Sequence, residues 1–138
     1  MKKAIFDTNI WVGWLRDGLH EELMAGRELT RYLSTVVQME LRAGAFTARA
    51  GRALDGLFGV YHRVNRIVGP SLQVFDQCGR TLKTLRRRGR GIRRASLVND
   101  VLIAVTARSI GATVFTSDGS DFEAINEAFS FDLEIVAH

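Results

Sequence analysis

Residues Ser96-Leu97-Val98-Asn99-Asp100-Val101-Leu102-Ile103-Ala104-Val105-Thr106-Ala107, a stop near Gly111, and then Thr113-Val114-Phe115-Thr116 decide how the chain folds. The first stretch is apolar almost all round a helical wheel. It predicts a helix buried in the body of a domain, with Ser96 as its cap. The second is a short apolar run that gives way to the polar Ser117-Asp118-Gly119-Ser120-Asp121-Phe122, as a buried strand does on entering a turn. Lys3-Ala4-Ile5-Phe6, stopping at Asp7-Thr8-Asn9, repeats that pattern at the other end of the chain.

Between these strands the pattern is mostly helical. Ile10 to Leu15 begins a buried helix, with Trp11 and Trp14 as packing residues, and Leu19, Leu23 and Met24 mark an amphipathic helix within Asp17 to Glu28. Arg31 to Ser34 reads as a brief strand. Thr35-Val36-Val37-Gln38 has the form of a capping box on a helix that stops at Gly44. Ala48 to Val64 reads as one helix, and Gly69-Pro70-Ser71 breaks the chain and caps another that starts at about Leu72. The inner stripe of that helix is expected at Leu72, Phe75, Cys78 or Gly79, and Leu82 or Leu85. Glu123 to Ala128 predicts a short helix, and Phe131-Leu133-Ile135 an alternating last strand. Strands separated by helices in this order imply an α/β sandwich around a mostly parallel sheet, with one domain over 1–138.

Composition narrows the class further. A chain of 138 residues with 46% hydrophobic and 25% charged residues suits a single core. It has no collagen or heptad period and no apolar run long enough to span a bilayer, so a cytoplasmic protein is expected. The single cysteine, Cys78, excludes an internal disulfide and a zinc finger, and is read as a core or half-exposed thiol. His62 is read as a surface or packing residue. The net charge of +4 is unevenly spread. Gln77 to Asn99 contains no acidic residue but eight basic ones, leaving 11 basic and 15 acidic residues elsewhere. An acidic body with one basic segment suggests a polyanionic partner that meets carboxylates on the same molecule.

Those carboxylates have defined places in the pattern. Asp7 and Asp118 follow strands, so in a parallel sheet both belong to the carboxyl edge, where ligands bind. Glu40 shares a helix face with Val36 and Val37, and Asp100 lies within the apolar helix, where an unpartnered charge is costly. An Asp after a strand is commonly only a turn residue, and Glu40 alone could face solvent; the interest lies in the four converging. Like charges roughly 4 Å apart repel by about 4 kcal/mol at an effective dielectric near 20, so such a cluster takes up protons or a cation. Oxygen ligands without cysteine or paired histidine select Mg²⁺ or Mn²⁺. Such an ion activates water for phosphodiester hydrolysis, and the basic segment would neutralise nucleic-acid phosphates.

Asp7-Thr8-Asn9, Ser34 through Glu40-Leu41, Asn99-Asp100 with Ile103-Ala104, and Thr116-Ser117-Asp118-Gly119-Ser120-Asp121-Phe122 resemble, in order and spacing, the motifs of PIN-domain proteins. The length and lack of extra segments look most like the VapC-type toxins of prokaryotic toxin–antitoxin pairs. The resemblance implies a three-layer α/β/α sandwich, Mg²⁺- or Mn²⁺-dependent endoribonuclease activity, a VapB-like antitoxin and a homodimer. It implies that Asp7, Glu40 and Asp100 are the regular acidic ligands. The fourth is Asp118 or Asp121, and Asn9 and Thr116 orient the acids by hydrogen bonds. The arginine segment matches no family motif. On charge alone Arg80, Lys83, Arg87, Arg90, Arg93 and Arg94 are assigned to RNA backbone binding, with tRNA among the candidate substrates.

Three other functions compete with the toxin. A housekeeping RNA-processing PIN nuclease shares its chemistry and differs in genomic context. A haloacid-dehalogenase-like phosphatase would need a second Asp two residues after Asp7, where this chain has Asn9. A non-catalytic RNA-binding protein would use only the arginine face and survive exchange of Asp7 or Asp100.

Overall fold

The computed structural model describes residues 1–137, so all but the last position of the expected domain is covered. In chain order the elements are β1 (Lys2–Phe6), α1 (Thr8–Asp17), α2 (Glu21–Ala25), β2 (Leu29–Ser34), α3 (Thr35–Ala43), α4 (Ala48–Arg63), β3 (Ile67–Val68), α5 (Leu72–Arg87), α6 (Ala95–Ile110), β4 (Thr113–Thr116), α7 (Ser120–Ala128) and β5 (Asp132–Ile135). The strands form one sheet in the order β3-β2-β1-β4-β5. Every pairing is parallel. Two of the three inner strands are covered on both faces: Ala4, Ile5 and Phe6 of β1 and all four residues of β4 are buried. A parallel sheet requires this, because its crossover helices lie on both sides, and the result is the α/β/α fold expected.

The strand order reverses direction between β1 and β4, where Phe6 pairs with Phe115. The crevice beyond the carboxyl ends of these two strands is the natural ligand position in an open α/β sheet. Phe6 anchors the seam below it, edge-on to Phe115 at 5.5 Å and to Trp11 at 6.2 Å. Trp11 in turn meets Tyr61 of α4 at 5.7 Å, so the first tryptophan is a core residue. Gly111 ends α6 in the left-handed conformation at φ 69°, which turns the chain sharply into β4. Cys78 is buried and His62 exposed. Among the described residues no helix is long and apolar enough to cross a membrane.

Several boundaries differ from expectation for local reasons. Thr8 and Asn9 belong to α1, because Asp7 itself caps that helix by accepting from the Thr8 N–H. The cap of α3 is Ser34, whose Oγ accepts from Val36 N and Val37 N, so Thr35 makes no capping box. Ser96 lies inside α6, which begins after Arg94 without a side-chain cap. The segment Asp17 to Glu28 yields only the short α2. Ser120 and Asp121 are helical, so α7 starts earlier than Glu123. The inner stripe of α5 keeps the expected Cys78 and Leu85 but is rotated at its start: Val74 and Thr81 are the other buried residues, whereas Leu72 is 86% and Phe75 57% exposed. Finally, β5 is an edge strand and does not alternate in burial, and β3 is a two-residue strand that the pattern of residues does not reveal.

Candidate active site

Asp7 stands one residue past β1 and is 7% exposed. Its backbone N–H donates to Phe115 O at 2.9 Å, which ties the end of β1 to β4. The carboxylate accepts from Thr8 N at 2.8 Å and from Thr116 Oγ1 at 2.9 Å. Thr116 is fully buried at the end of β4. Its hydroxyl also accepts from Asn9 Nδ2 at 3.3 Å and from Asp118 N at 3.1 Å. Asn9 completes the bracket by accepting from Ser117 N at 3.2 Å. The expected orienting pair, Asn9 and Thr116, therefore fixes one side chain, Asp7, across the strand seam. Burial nevertheless pushes the Asp7 carboxyl up to about 6; the Thr116 and Thr8 bonds oppose the rise, and the charges of Glu40 and Asp118 add to it.

Glu40 reaches the same crevice from α3. Thr8 Oγ1 donates to its Oε1 at 2.7 Å, and Asn99 Nδ2 to its Oε2 at 3.4 Å. Sequence reasoning misses Thr8 and Asn99 as site residues. The available signal is adjacency, since each neighbours a motif acid, but adjacency does not show which acid a side chain will hold. Asp100 follows Asn99 on α6. Burial pushes its carboxyl up to about 8, and the charges of Asp7, Glu40, Asp121 and Asp118, in falling order, raise it further. One turn of α6 thus supplies both a hydrogen bond to Glu40 and an acid that feels every other carboxylate.

The last two acids differ. Asp118 is exposed in the turn after β4, and its charge acts on both Asp7 and Asp100. Asp121 lies in the first turn of α7, where Arg90 Nη1 at 2.7 Å and Arg94 Nη2 at 3.1 Å both donate to its Oδ1. Of the other basic candidates, Arg80 pairs with Asp76 at 2.9 Å on the surface of α5, while Lys83, Arg87 and Arg93 are exposed.

The crevice combines oxygen donors, a local excess of negative charge and two acids displaced upward without a basic side chain among the causes. That donor chemistry fits a hard divalent cation. Among the described residues no three acidic, histidine or cysteine side chains are already arranged to hold an ion. The fit is therefore one of charge and donor type within one crevice. Beside Glu40 a groove of about 600 Å³, lined by Val12, Leu15, Leu41, Ala45, Phe46 and Leu54, opens to solvent, and Phe46 is 93% exposed.

Residues 4–128 match the family model described as PIN domain. No curated protein sequence matches the chain. Solved structures do. VapBC-1 from nontypeable Haemophilus influenzae is 25% identical with a TM-score of 0.72, covering 96% of this chain and 97% of that one. DNA-bound VapBC from Salmonella typhimurium is 24% identical with a TM-score of 0.74, covering 98% of both chains. FitAcB from Neisseria gonorrhoeae is 22% identical with a TM-score of 0.68, covering 94% of this chain and 95% of that one.

Proposed function

Because the chain belongs to the PIN-domain family, we propose that it is the toxin of a toxin–antitoxin pair, an endoribonuclease that hydrolyses RNA with Mg²⁺ or Mn²⁺ held by Asp7, Glu40, Asp100 and Asp118. The observation that carries this reading is the gathering of carboxylates beyond β1 and β4, with Asp7 and Asp100 withdrawn from water among them. Burial drives Asp7 and Asp100 up to about 6 and about 8, and the charges of Glu40 and Asp118 add to the pressure on both. A cation relieves that pressure and keeps the acids ionised near neutral pH. When bound, it would lower the pKa of a water and polarise a phosphoryl oxygen. The chain's own groups do the positioning. Thr116 and Thr8 fix Asp7, Thr8 and Asn99 fix Glu40, and the exposed Asp118 stands nearest the solvent side.

The substrate is RNA, bound through its backbone. Arg90 and Arg94, through Asp121, supply positive charge beside an acidic crevice that a polyanion would otherwise avoid, and Arg80, Lys83, Arg87 and Arg93 of the same basic segment would extend that contact along the backbone. The groove beside Glu40 suits an apolar helix with a basic residue at its Glu40 end, and a VapB-like antitoxin that occludes the site would be the partner to fill it. Support for that partner comes from the fold shared with the VapBC assemblies.

The test is cleavage of total cellular RNA, with tRNA as the first defined substrate. Fragments should form with Mg²⁺ or Mn²⁺ and vanish with chelator and in Asp100→Asn. Identical lanes in all conditions overturn the reading, and a neighbouring small reading frame for an acidic DNA-binding protein distinguishes a toxin from a housekeeping nuclease.

A further inference from the structure

Asp121 is the one acid of the last motif held by basic side chains. Its carboxylate is drawn in, 16% exposed, while Arg90 and Arg94 are 37% and 54% exposed. Both arginines come from the segment joining α5 to α6, and both donate to the same oxygen, Oδ1. We propose that Asp121 is not a metal ligand but a positioning residue, which holds the Arg90 and Arg94 guanidinium groups at the rim of the carboxylate crevice to receive an RNA phosphate next to the one being cut. The inference rests on the nuclease reading and deepens it.

Three observations favour this role. A guanidinium has five N–H donors, and each arginine commits a single nitrogen to Asp121, which leaves the rest of its fork for phosphate oxygens. Two guanidiniums against one carboxylate leave a local positive charge. A cation competing for Oδ1 would meet both arginines, whereas nothing basic is bonded to Asp7 or Asp100. The clamp also lies close to the crevice, because the charge of Asp121 acts on Asp100.

The sign of one substitution separates this role from its rivals. Removing an acid beside a polyanion site should tighten RNA binding if charge alone matters, and should weaken Mn²⁺ binding if Asp121 is a ligand. Full-length wild type, Asp121→Asn, Arg90→Ala and Arg90→Lys are compared, with folding confirmed by thermal melts. Mn²⁺ affinity is read by electron paramagnetic resonance. Binding of a labelled single-stranded RNA is read by anisotropy in chelator, where no cleavage occurs. Asp121→Asn is expected to keep its Mn²⁺ affinity yet bind RNA more weakly and cleave with raised KM at near-normal kcat. Arg90→Ala should lower the salt slope of RNA binding by about 0.7, the effect of leaving one single-strand phosphate without its neutralising cation, with Arg90→Lys restoring part of the affinity. A loss of Mn²⁺ affinity of about tenfold or more in Asp121→Asn, on the scale of a coordinating or supporting group, overturns the proposal, as does unchanged or tighter RNA binding. Failure of the nuclease reading shows separately, as a wild type that neither binds Mn²⁺ nor cleaves while the chelator arm still reports on the clamp.

Discussion

Thr116 Oγ1 donates to Asp7 Oδ2 at 2.9 Å, joining the ends of two adjacent parallel strands through side chains 109 positions apart. The bond crosses the seam where the strand order reverses, so the geometry of the first acid depends on the fourth strand being in register. Thr116→Val removes it while preserving shape and leaves a buried carboxylate with one donor fewer. The expected cost is about 1–3 kcal/mol of stability by urea unfolding, with cleavage falling about 10- to 100-fold. Thr116→Ser, which keeps the hydroxyl, should retain most of both.

Thr8→Val tests the second support. Thr8 holds Glu40 at 2.7 Å from a half-buried position, so the variant should lose about 10- to 100-fold in cleavage while its melting temperature stays close to that of the wild type. Equal loss of stability and activity would show that Thr8 serves packing.

Stability without metal should depend on pH with a definite sign. Asp7 and Asp100 both have folded values above the ordinary 3.8, at about 6 and about 8. Each is protonated more readily in the folded chain than in the unfolded one. Their contribution is therefore complete below about pH 4 and is lost as the pH rises through 6 and then 8. Melts in chelator should fall steadily over that window. Mg²⁺ should restore the alkaline end by binding the folded state, and Asp100→Asn should flatten the upper part of the curve. A metal-free protein that grows more stable from pH 5 to pH 8 would contradict this.

The thiol of Cys78 is buried and pushed up to about 11 by desolvation. Thiolate is the reactive form, so a disulfide-exchange reagent should label the native protein slowly and the urea-unfolded protein at once. Rapid native labelling would place Cys78 at the surface.

The rotation of α5 gives a paired test. Leu85 is 2% exposed and Leu72 86%. Leu85→Ala should cost about 2–5 kcal/mol, and Leu72→Ala should fall within about 0.5 kcal/mol of wild type, as exposed sites do.

Much of this architecture can be read in the chain. The strand Thr113–Thr116 is bounded by an abrupt change in polarity, the long helix from Ala48 shows in the helical spacing of Ala50, Leu54, Leu57, Phe58 and Tyr61, and Asp7, Glu40 and Asp100 stand out as charges in apolar settings. What escapes such a reading is non-local or too short to show a period. Ile67–Val68 is a strand only because β2 lies beside it. The α5 stripe is set by packing against α6, which favours Val74 and Leu85 over Leu72 and Phe75. The contacts of Thr8 with Glu40, and of Arg90 and Arg94 with Asp121, join positions 27 to 32 apart that no local pattern relates.

Because β1 pairs with β4, the opening strand lacks one neighbour until residues 113–116 have been synthesised. A nascent chain on the ribosome can form its early helices but cannot draw Asp7 and Asp118 together. The crevice is thus assembled only after β4 has emerged, and a chain that stops short of β4 lacks both Asp118 and the Thr116 hydroxyl that holds Asp7.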